Sequence, residues 1–556
     1  MSATERRERI KTRRIHALHR LGPIIGLCLL PAMLHAQGVP ESRSDRTGEI
    51  EFPTSCDAAV AGEINRAVAL LHSFEYPESE KTFRVVLDRA PDCAMARWGV
   101  AMNLWHPLWA LPTEAALETG SAMLEGIDLS AVTPREAGYI DALRLFYADY
   151  RNLSHQARAE AYRDRMSQVY RDNLDDLEAA VFYALSLLAT ADPTDKTYAN
   201  QFKAAGLLNW ARNSKPHHPG VLHYIIHSYD YPGMAHLALP AATIYADVAP
   251  DSAHAQHMPS HIFTRLGLWD RSISSNHDST ASAEDYTRRA NLPGHYDEGL
   301  HSIDYLMYAL LQTARDDEAA QLLERLQGIE ETHVDNFKVA FSYASAPARY
   351  ALERRQWAEA AQLALLFPAD FPWQEFEWAR SIHHFARGIG AARSSELDLA
   401  RQELAVIEDI AARLSDTVRP YWREELLVQA DAVSSWIAHA EGDSETALRL
   451  AEAAANREDA VDKDPVTPGE VLPARELLAD MLLELGRYSD ALEQYRTVLA
   501  GSPNRINALL GAARAAAGSG APGAAAQYYE AVIDQTSAGN PGRAGLSEAR
   551  AYIASR

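Results

Sequence analysis

Histidine is the residue in this chain whose number and spacing point most clearly to chemistry. Eleven of the 21 histidines lie between Pro216 and Tyr305. Within this stretch, two pairs are separated by four residues, His223 with His227 and His257 with His261. On a helix, that spacing places both side chains on one face, one turn apart. Because imidazole is a common ligand of Zn, Cu, Fe and Ni, each pair could share one metal ion.

Helix boundaries can be read on both sides of these pairs. Pro219 is suited to the first turn of a helix that carries His223 and His227. A later helix begins near Pro259, so the pair His257 and His261 lies across a helix start. A third helix begins near residue 298 and carries His301, Asp304 and Tyr305. These are the residues that we predict to bind metal: His223, His227, His257, His261, His301 and Asp304.

Other polar residues near these positions could support a metal ion or its chemistry. Asp230, His218 and His254 are further candidates to bind metal or to orient the ligands, because a metal-binding histidine usually donates its other N–H to an acceptor. Asp230 and Tyr305 are the candidate catalytic residues. The stretch has no His-Glu-x-x-His motif and no cysteine, so neither a zincin nor a thiolate site is expected.

The histidines permit several interpretations. The principal one is a site for one or two divalent transition-metal ions, which could be Zn, Cu or Fe. The ion could activate water for hydrolysis or take part in an oxidation, so a hydrolase and an oxidoreductase both remain open. A polar groove lined by neutral histidines and a metal-free site with a catalytic histidine also fit the pattern.

The elements that must position these residues are predicted to be helices throughout. Strand patterns are scarce from Cys56 onward, and turns coincide with Pro and Gly. Near the C-terminus, small and aromatic residues recur after 34 residues, the period of a tetratricopeptide helix pair. The recurring residues are Gly486, Ala491 and Tyr495, then Gly520, Ala525 and Tyr529. We therefore predict an all-α, tetratricopeptide-like α-solenoid of stacked antiparallel helical hairpins.

Several short motifs resemble those of the large bacterial tetratricopeptide-repeat proteins, and in particular a secreted subfamily with a histidine-rich block. The motifs are Leu70-Leu71-His72-Ser73-Phe74, Pro91-Asp92-Cys93-Ala94-Met95-Ala96, His106-Pro107-Leu108-Trp109, Asp195-Lys196-Thr197-Tyr198-Ala199-Asn200, His218-Pro219-Gly220 and His257-Met258-Pro259-Ser260-His261-Ile262-Phe263. The resemblance implies a helical-repeat fold and an exported protein, but no particular reaction.

The N-terminal residues indicate export. A basic leader is followed by the apolar run Leu21–Leu34, which is too short to span a membrane comfortably, and by a possible cleavage site at Ala36. We therefore predict a signal peptide at 1–36, a periplasmic or secreted location, and a disordered linker at 37–55. Removal of the leader leaves Cys56 and Cys93, which we expect to form a disulfide in an oxidising compartment. Two buried free thiols are the alternative.

Two helical arrays are predicted after the linker. The first covers 56–455 and contains the histidine-rich site at 217–305, and the second covers the repeats at 470–550. The formal net charge of −23 argues against a nucleic-acid-binding surface, and no later segment suits a membrane span. The expected partners are a small molecule or peptide in the concave groove and a protein bound by the C-terminal repeats. Without an enzymatic activity, the chain could be a peptide-binding adaptor or a periplasmic metal-storage or delivery protein.

Overall fold

The computed structural model describes residues 46–365, 367–414 and 420–556. Every regular element in these ranges is a helix, which confirms the all-α prediction. Residues 46–556 form one compact unit. The predicted signal peptide lies outside the described residues. In the ranges that are described, every helix is too short or too polar to span a lipid bilayer.

The first part of the solenoid leads up to the histidine-rich block. Its helices are α1 (Ala61–His72), α2 (Tyr76–Arg89), α3 (Ala94–Asn103), α4 (Glu114–Leu124), α5 (Pro134–Tyr147), α6 (His155–Asp172), α7 (Leu177–Ala189) and α8 (Ala199–Ser214).

The histidine-rich block itself occupies the next helices. They are α9 (Pro219–Tyr229), α10 (Ala235–Val248), α11 (Ala253–His257), α12 (Pro259–Arg265), α13 (Trp269–Arg289), α14 (Asp297–Gln312) and α15 (Asp316–Gln327). Helices α11 and α12 are two segments of one broken helix, because Pro259 begins the second segment directly after Met258.

The remaining helices complete the chain. They are α16 (Phe337–Glu353), α17 (Trp357–Ala361), α18 (Glu377–Arg393), α19 (Leu397–Arg413), α20 (Pro420–Ala440), α21 (Ser444–Ala460), α22 (Ala474–Glu484), α23 (Tyr488–Gly501), α24 (Ile506–Gly518), α25 (Pro522–Gln535) and α26 (Leu546–Ala554).

Consecutive helices pack as antiparallel hairpins, and the hairpins stack side by side. Helices α9 and α10, α12 and α13, and α14 and α15 are such hairpins around the block. The first helices of successive hairpins also touch: α9 contacts α12, α11 contacts α14, and α14 contacts α16. This arrangement is the tetratricopeptide-like solenoid that the 34-residue recurrence predicts.

Glycine and aromatic residues hold neighbouring hairpins together as the repeat pattern predicts. A Cβ atom on Gly511 of α24 would lie 2.1 Å from the ring of Tyr495 in α23, and one on Gly99 of α3 would lie 2.4 Å from the ring of Phe83 in α2. Only glycine leaves room for these rings, so each aromatic side chain fills the space between two hairpins.

Two large apolar clusters form the core. One is built from helices up to α12 and the other from α13 onward. Between the later hairpins, buried ion pairs supplement the apolar contacts: Arg505 lies 2.7 Å from Glu353 and 2.6 Å from Glu476, and all three side chains are fully buried. These pairs link α16 and α22 to the start of α24.

The described segment before α1, residues 46–60, is attached to the first hairpins. Its composition predicts a disordered linker, but Phe52 is buried and stacks on Trp98, with the ring centroids 5.6 Å apart. Cys56 and Cys93 form a disulfide, with a Cα–Cα distance of 5.1 Å, that joins this segment to the start of α3. Burial of the apolar side chain and the disulfide therefore fix the position of a segment whose composition alone is typical of a linker.

Replacing both Cys56 and Cys93 by Ser should lower the free energy of unfolding by about 2–4 kcal/mol, because the disulfide restricts the unfolded chain. Urea denaturation followed by circular dichroism checks this. Thiol titration of denatured, unreduced protein that begins near Gln37 should find no free thiol. Two titratable thiols in that protein would contradict the pairing.

Candidate metal centre

The structure places six histidines in two neighbouring groups of three. In each group, one nitrogen from each imidazole lies within 4.8 Å of the corresponding atoms of the other two. The first trio is His223, His227 and His254, and the second trio is His257, His261 and His301. All six side chains are buried, and His227 is the most exposed, at 6%.

Each trio combines one pair of histidines with a single histidine from the following hairpin. Helix α9 supplies His223 and His227, and α11 supplies His254. His257 at the end of α11 and His261 on α12 form the second pair, and α14 supplies His301. The first helices of three stacked hairpins therefore contribute all six rings, of which the spacing points to the two pairs and to His301, while His254 is one of the further candidates.

The hydrogen bonds of the first trio determine which nitrogen is free. The Nδ1–H of His223 donates to the backbone carbonyl of His72 at 2.6 Å, and the Nδ1–H of His254 donates to the carboxylate of Glu298 at 3.1 Å. In a neutral imidazole, a proton on Nδ1 leaves Nε2 with a lone pair. The Nε2 atoms of His223 and His254 are 3.2 Å apart, so two lone pairs face each other.

The second trio repeats this arrangement. His257 Nδ1 donates to Asn276 Oδ1 at 2.7 Å, and the Nδ2 of that amide donates to the Ser272 carbonyl, which fixes its orientation. His261 Nδ1 donates to the carboxylate of Asp230 at 2.9 Å. The Nε2 atoms of His257 and His261, both without a proton, are 3.1 Å apart.

Burial keeps these imidazoles neutral. Desolvation lowers the pKa of His257 to about 3, and it lowers the pKa of His261 to about 4 although Asp230 partly opposes it. Burial also lowers the pKa values of His223, His227, His254 and His301 well below the ordinary value, and neighbouring histidines lower them further. Neutral rings with Nδ1 protonated are ready to bind a cation through Nε2.

Two ligand candidates have fewer hydrogen bonds than the others. Among the described residues, the buried Nδ1 of His301 has no hydrogen-bond partner. His227 contacts His223 through Nε2 at 3.1 Å. Substitutions at these two positions therefore disturb the surrounding hydrogen bonds less than substitutions at the other four.

Aromatic rings that the sequence analysis did not assign to the site enclose the first trio. Phe74 lies 4.4 Å from His223 and stacks at 5.5 Å on His254, measured between ring centroids. Trp109 packs at 4.8 Å against His254 and at 6.0 Å against His301. Both residues lie more than a hundred positions from the histidines that they touch in the trios, so sequence spacing gives no signal for them.

The polar residues behind the histidines carry balanced charges. Asp230 is paired with Arg265 at 3.0 Å and with Lys463 at 2.9 Å. Glu298 is paired with the buried Lys338, which also contacts Asp297 at 2.5 Å. Burial alone would lower the pKa of Lys338, but the two carboxylates raise it overall, so its ammonium stays charged.

Asp304 does not join either trio. It lies on α14 with His301, but its Oδ1 accepts hydrogen bonds from Ser345 at 2.6 Å and from Arg349 at 3.2 Å. Both Asp304 and Arg349 are fully buried. The Oδ2 of Asp304 is buried and has no hydrogen-bond partner among the described residues, so the role of Asp304 as a ligand stays a prediction.

The two candidate catalytic residues lie beside the second trio. Asp230 accepts the Nδ1–H of His261, so it orients that ring. The Tyr305 hydroxyl lies 3.3 Å from the same Nδ1 and donates to the backbone carbonyl of Thr467 at 3.0 Å. Burial raises the pKa of Tyr305 well above its usual range, so the hydroxyl keeps its proton.

Residues 461–473, which connect α21 to α22 and which we call the strap, cover the site. Lys463 reaches Asp230, and Arg349 donates to the carbonyls of Gly469 at 2.6 Å and Glu470 at 2.7 Å. The sequence suggests this segment only as the boundary between two arrays. Its contacts make the metal centre candidate an enclosed site rather than an open groove.

A third group of possible ligands has a different character. His72 and His218 both contact the buried Glu178, at 2.9 and 2.8 Å. His72 Nδ1 also lies 3.0 Å from the Tyr224 hydroxyl, and His218 Nδ1 accepts the backbone N–H of Val221. These nitrogens are already used in hydrogen bonds, so we regard this group as a structural network.

The comparisons with known proteins add little to this geometry. No known protein family and no curated protein matches the chain. Among solved structures, yeast Tom70 is similar at 12% identity and a TM-score of 0.29, over 75% of this chain and 96% of its own. The APC/C hetero-tetramer Cut9-Hcn1 is similar at 11% identity and a TM-score of 0.29, over 89% of each chain.

Replacing Lys338 by Met should lower the free energy of unfolding by about 3–5 kcal/mol, because it leaves Asp297 and Glu298 buried without a cation. Urea denaturation measures this. The matched change Arg288→Met removes a surface ion pair with Asp285 and should alter stability little. Equal effects of the two changes would show that the Lys338 pairing is not important for stability.

Proposed function

We propose that the two histidine trios hold two transition-metal ions and that the chain is an exported tetratricopeptide-like scaffold for a metal-dependent enzyme. The observation that carries this proposal is the pair of facing Nε2 atoms in each trio, 3.1 and 3.2 Å apart and both without a proton. Facing lone pairs repel in a buried place, and a shared cation removes that repulsion.

The distances suit a common ion. Two nitrogens that bind one Zn²⁺ at about 2.0–2.1 Å with tetrahedral geometry lie about 3.4 Å apart. The donors are all imidazoles, which suit Zn, Cu, Fe and Ni better than Mg or Ca. Three protein ligands for each ion also leave a coordination position for a reactant, as catalytic rather than structural sites do.

The residues around the ions would have defined roles. Asp230 and Glu298 orient one ring in each trio and keep Nε2 available. Tyr305 is held beside Nδ1 of His261 as a neutral hydroxyl, and because it donates its proton to the carbonyl of Thr467, it would join the His261 ring to the strap. The ions would supply Lewis acidity or a site for oxygen, so hydrolysis and oxidation are the two reaction classes that this centre could serve.

Export from the cytoplasm is part of the same proposal. The disulfide between Cys56 and Cys93 supports it, since disulfides persist in oxidising compartments. A peptide partner at the histidines is less suitable, because all six rings are buried. A protein partner of the C-terminal repeats stays a prediction.

Elemental analysis of the purified protein tests the proposal, and two ions per chain are expected. The double change His227→Gln with His301→Gln removes one ligand from each trio and should lower metal content and the metal-dependent rise in melting temperature. The control is the double variant His236→Ala with His277→Ala, which replaces two exposed histidines of the same block. This variant should retain both the metal content and the metal-dependent rise in melting temperature. Full metal content in the double variant, or none in the wild type after reconstitution, would refute the metal centre.

Replacing Asp304 by Asn distinguishes the two trios from the ligand set predicted from the sequence. Because Asp304 pairs with Arg349 and lies in neither trio, the variant should keep two ions per chain while its melting temperature falls. Metal analysis alongside thermal unfolding gives both values. Loss of one ion in a folded Asp304→Asn protein would restore Asp304 as a ligand.

A further inference from the structure

We infer that the two trios form one coupled copper pair that binds dioxygen between its two ions. This inference rests on the proposed two-ion centre and adds the identity of the metal and of the ligand. It is carried by three features of the site: the adjacency of the trios, the absence of anionic donors among the six ligands, and the enclosure of the centre.

The two trios are direct neighbours. Helix α11 gives His254 to the first trio and His257 to the second, three residues and about one turn apart. Their ring centroids are 6.1 Å apart. Opposite them, the ring centroids of His227 in the first trio and His261 in the second trio are 5.9 Å apart. Ions bound in the two trios would therefore lie close enough for a small molecule to contact both.

The charge of the site favours copper in its monovalent form. All six proposed ligands are neutral imidazoles, and the carboxylates of Asp230, Glu298 and Asp304 are already paired with Arg265, Lys463, Lys338 and Arg349. Two divalent ions would bring four positive charges into a buried place without a compensating anionic ligand. Two monovalent copper ions bring half of that charge, and copper also binds nitrogen donors more tightly than other first-row divalent metals in its oxidised form.

Binding of dioxygen leaves the net charge of the site unchanged. Each monovalent copper ion gives one electron to the bound molecule, so dioxygen is reduced to peroxide and both ions become divalent. The two negative charges of the bridging peroxide offset the two positive charges that the ions gain. No proton and no further reductant are needed, and the return of both electrons releases dioxygen.

The enclosure of the centre selects a small ligand. No ring of the six is more than 6% exposed, and the strap covers the side of Asp230 and Tyr305. A molecule of two heavy atoms can enter through small fluctuations, whereas a peptide or a phosphoester would require the strap to leave. We therefore assign dioxygen rather than a hydrolysable substrate to the pair.

The experiment uses the full-length protein, freed of metal by a chelator and loaded with monovalent copper without oxygen. We expect two copper ions per chain and an intense near-ultraviolet charge-transfer band when dioxygen is added. The oxygenated protein should give little electron paramagnetic resonance signal, because the two divalent ions are coupled. Removing dioxygen under vacuum should abolish the band.

Single variants test whether both trios are needed. His227→Gln and His301→Gln each weaken one trio, and each should keep one copper ion per chain, lose the band and show the resonance signal of an isolated divalent ion after oxidation. The variant with both His236→Ala and His277→Ala should behave as the wild type. Circular dichroism confirms that every variant compared is folded.

The possible failures are distinguishable. Two copper ions that give a full resonance signal and no band would overturn the coupled pair while leaving the metal centre in place. The same conclusion follows if the band persists in either single variant, or if the protein binds two zinc ions but no copper. A protein that binds neither metal would refute both this inference and the proposed function.

Discussion

The central constraint in this structure is the position of four protons on the Nδ1 atoms of buried histidines. A carbonyl, two carboxylates and a fixed amide oxygen accept those protons, and so determine that the Nε2 atoms of His223, His254, His257 and His261 have none. The scaffold then brings these Nε2 atoms together in pairs, away from water. An ordinary buried hydrogen-bond network would place a donor opposite an acceptor, as the group around Glu178 does. The two Nε2 pairs, His223 with His254 and His257 with His261, do the opposite, and the helices, the strap and the aromatic rings hold them in that arrangement.

The solenoid produces two similar sets of histidines by repeating one helix register. His257 follows His223 by 34 residues, and His261 follows His227 by the same number, the repeat period. The next first helix carries His301 and Tyr305 at the same four-residue spacing. Tyrosine thus replaces histidine at the end of the series, and its hydroxyl lies beside His261 instead of joining a third trio.

A third position that recurs in the first helices explains how one hairpin contacts the next. Three residues before the leading histidine of each pair stand Gly220, His254 and Glu298. His254 completes the trio of the preceding hairpin, and Glu298 accepts the proton of His254. Gly220 leaves space for His72, whose ring would lie 2.6 Å from a Cβ atom at that position. Because the hairpins stack in this register, the histidines of one hairpin are contacted by the residue at this position in the following hairpin.

Much of this could be predicted from the sequence because it depends on local spacing. The helical hairpins and four of the six histidines follow from periods of 34 and four residues, and His301 follows from its place on the next predicted helix. No local pattern shows that Asp304 on α14 faces the buried Arg349 on α16, and its role as a ligand stays a prediction. Phe74, Trp109 and Lys338 could not be found in this way. They reach the site through the path of the whole superhelix, which no local pattern encodes.

The path of the superhelix also gives the C-terminal repeats a structural role at the candidate metal centre. The loop after α12 meets the loop before α24, where Trp269 Nε1 donates to the carbonyl of Asn504 at 2.9 Å. A Cβ atom on Gly267 would lie 2.4 Å from the carbonyl oxygen of Pro503, so this contact requires glycine. The chain between these contacts includes the strap, whose backbone is held by Arg349 and Tyr305. The contacts of the later repeats therefore help to hold the strap in place over the histidines. In this way, a solenoid that would otherwise present an open concave surface encloses a small buried site that is lined by histidines.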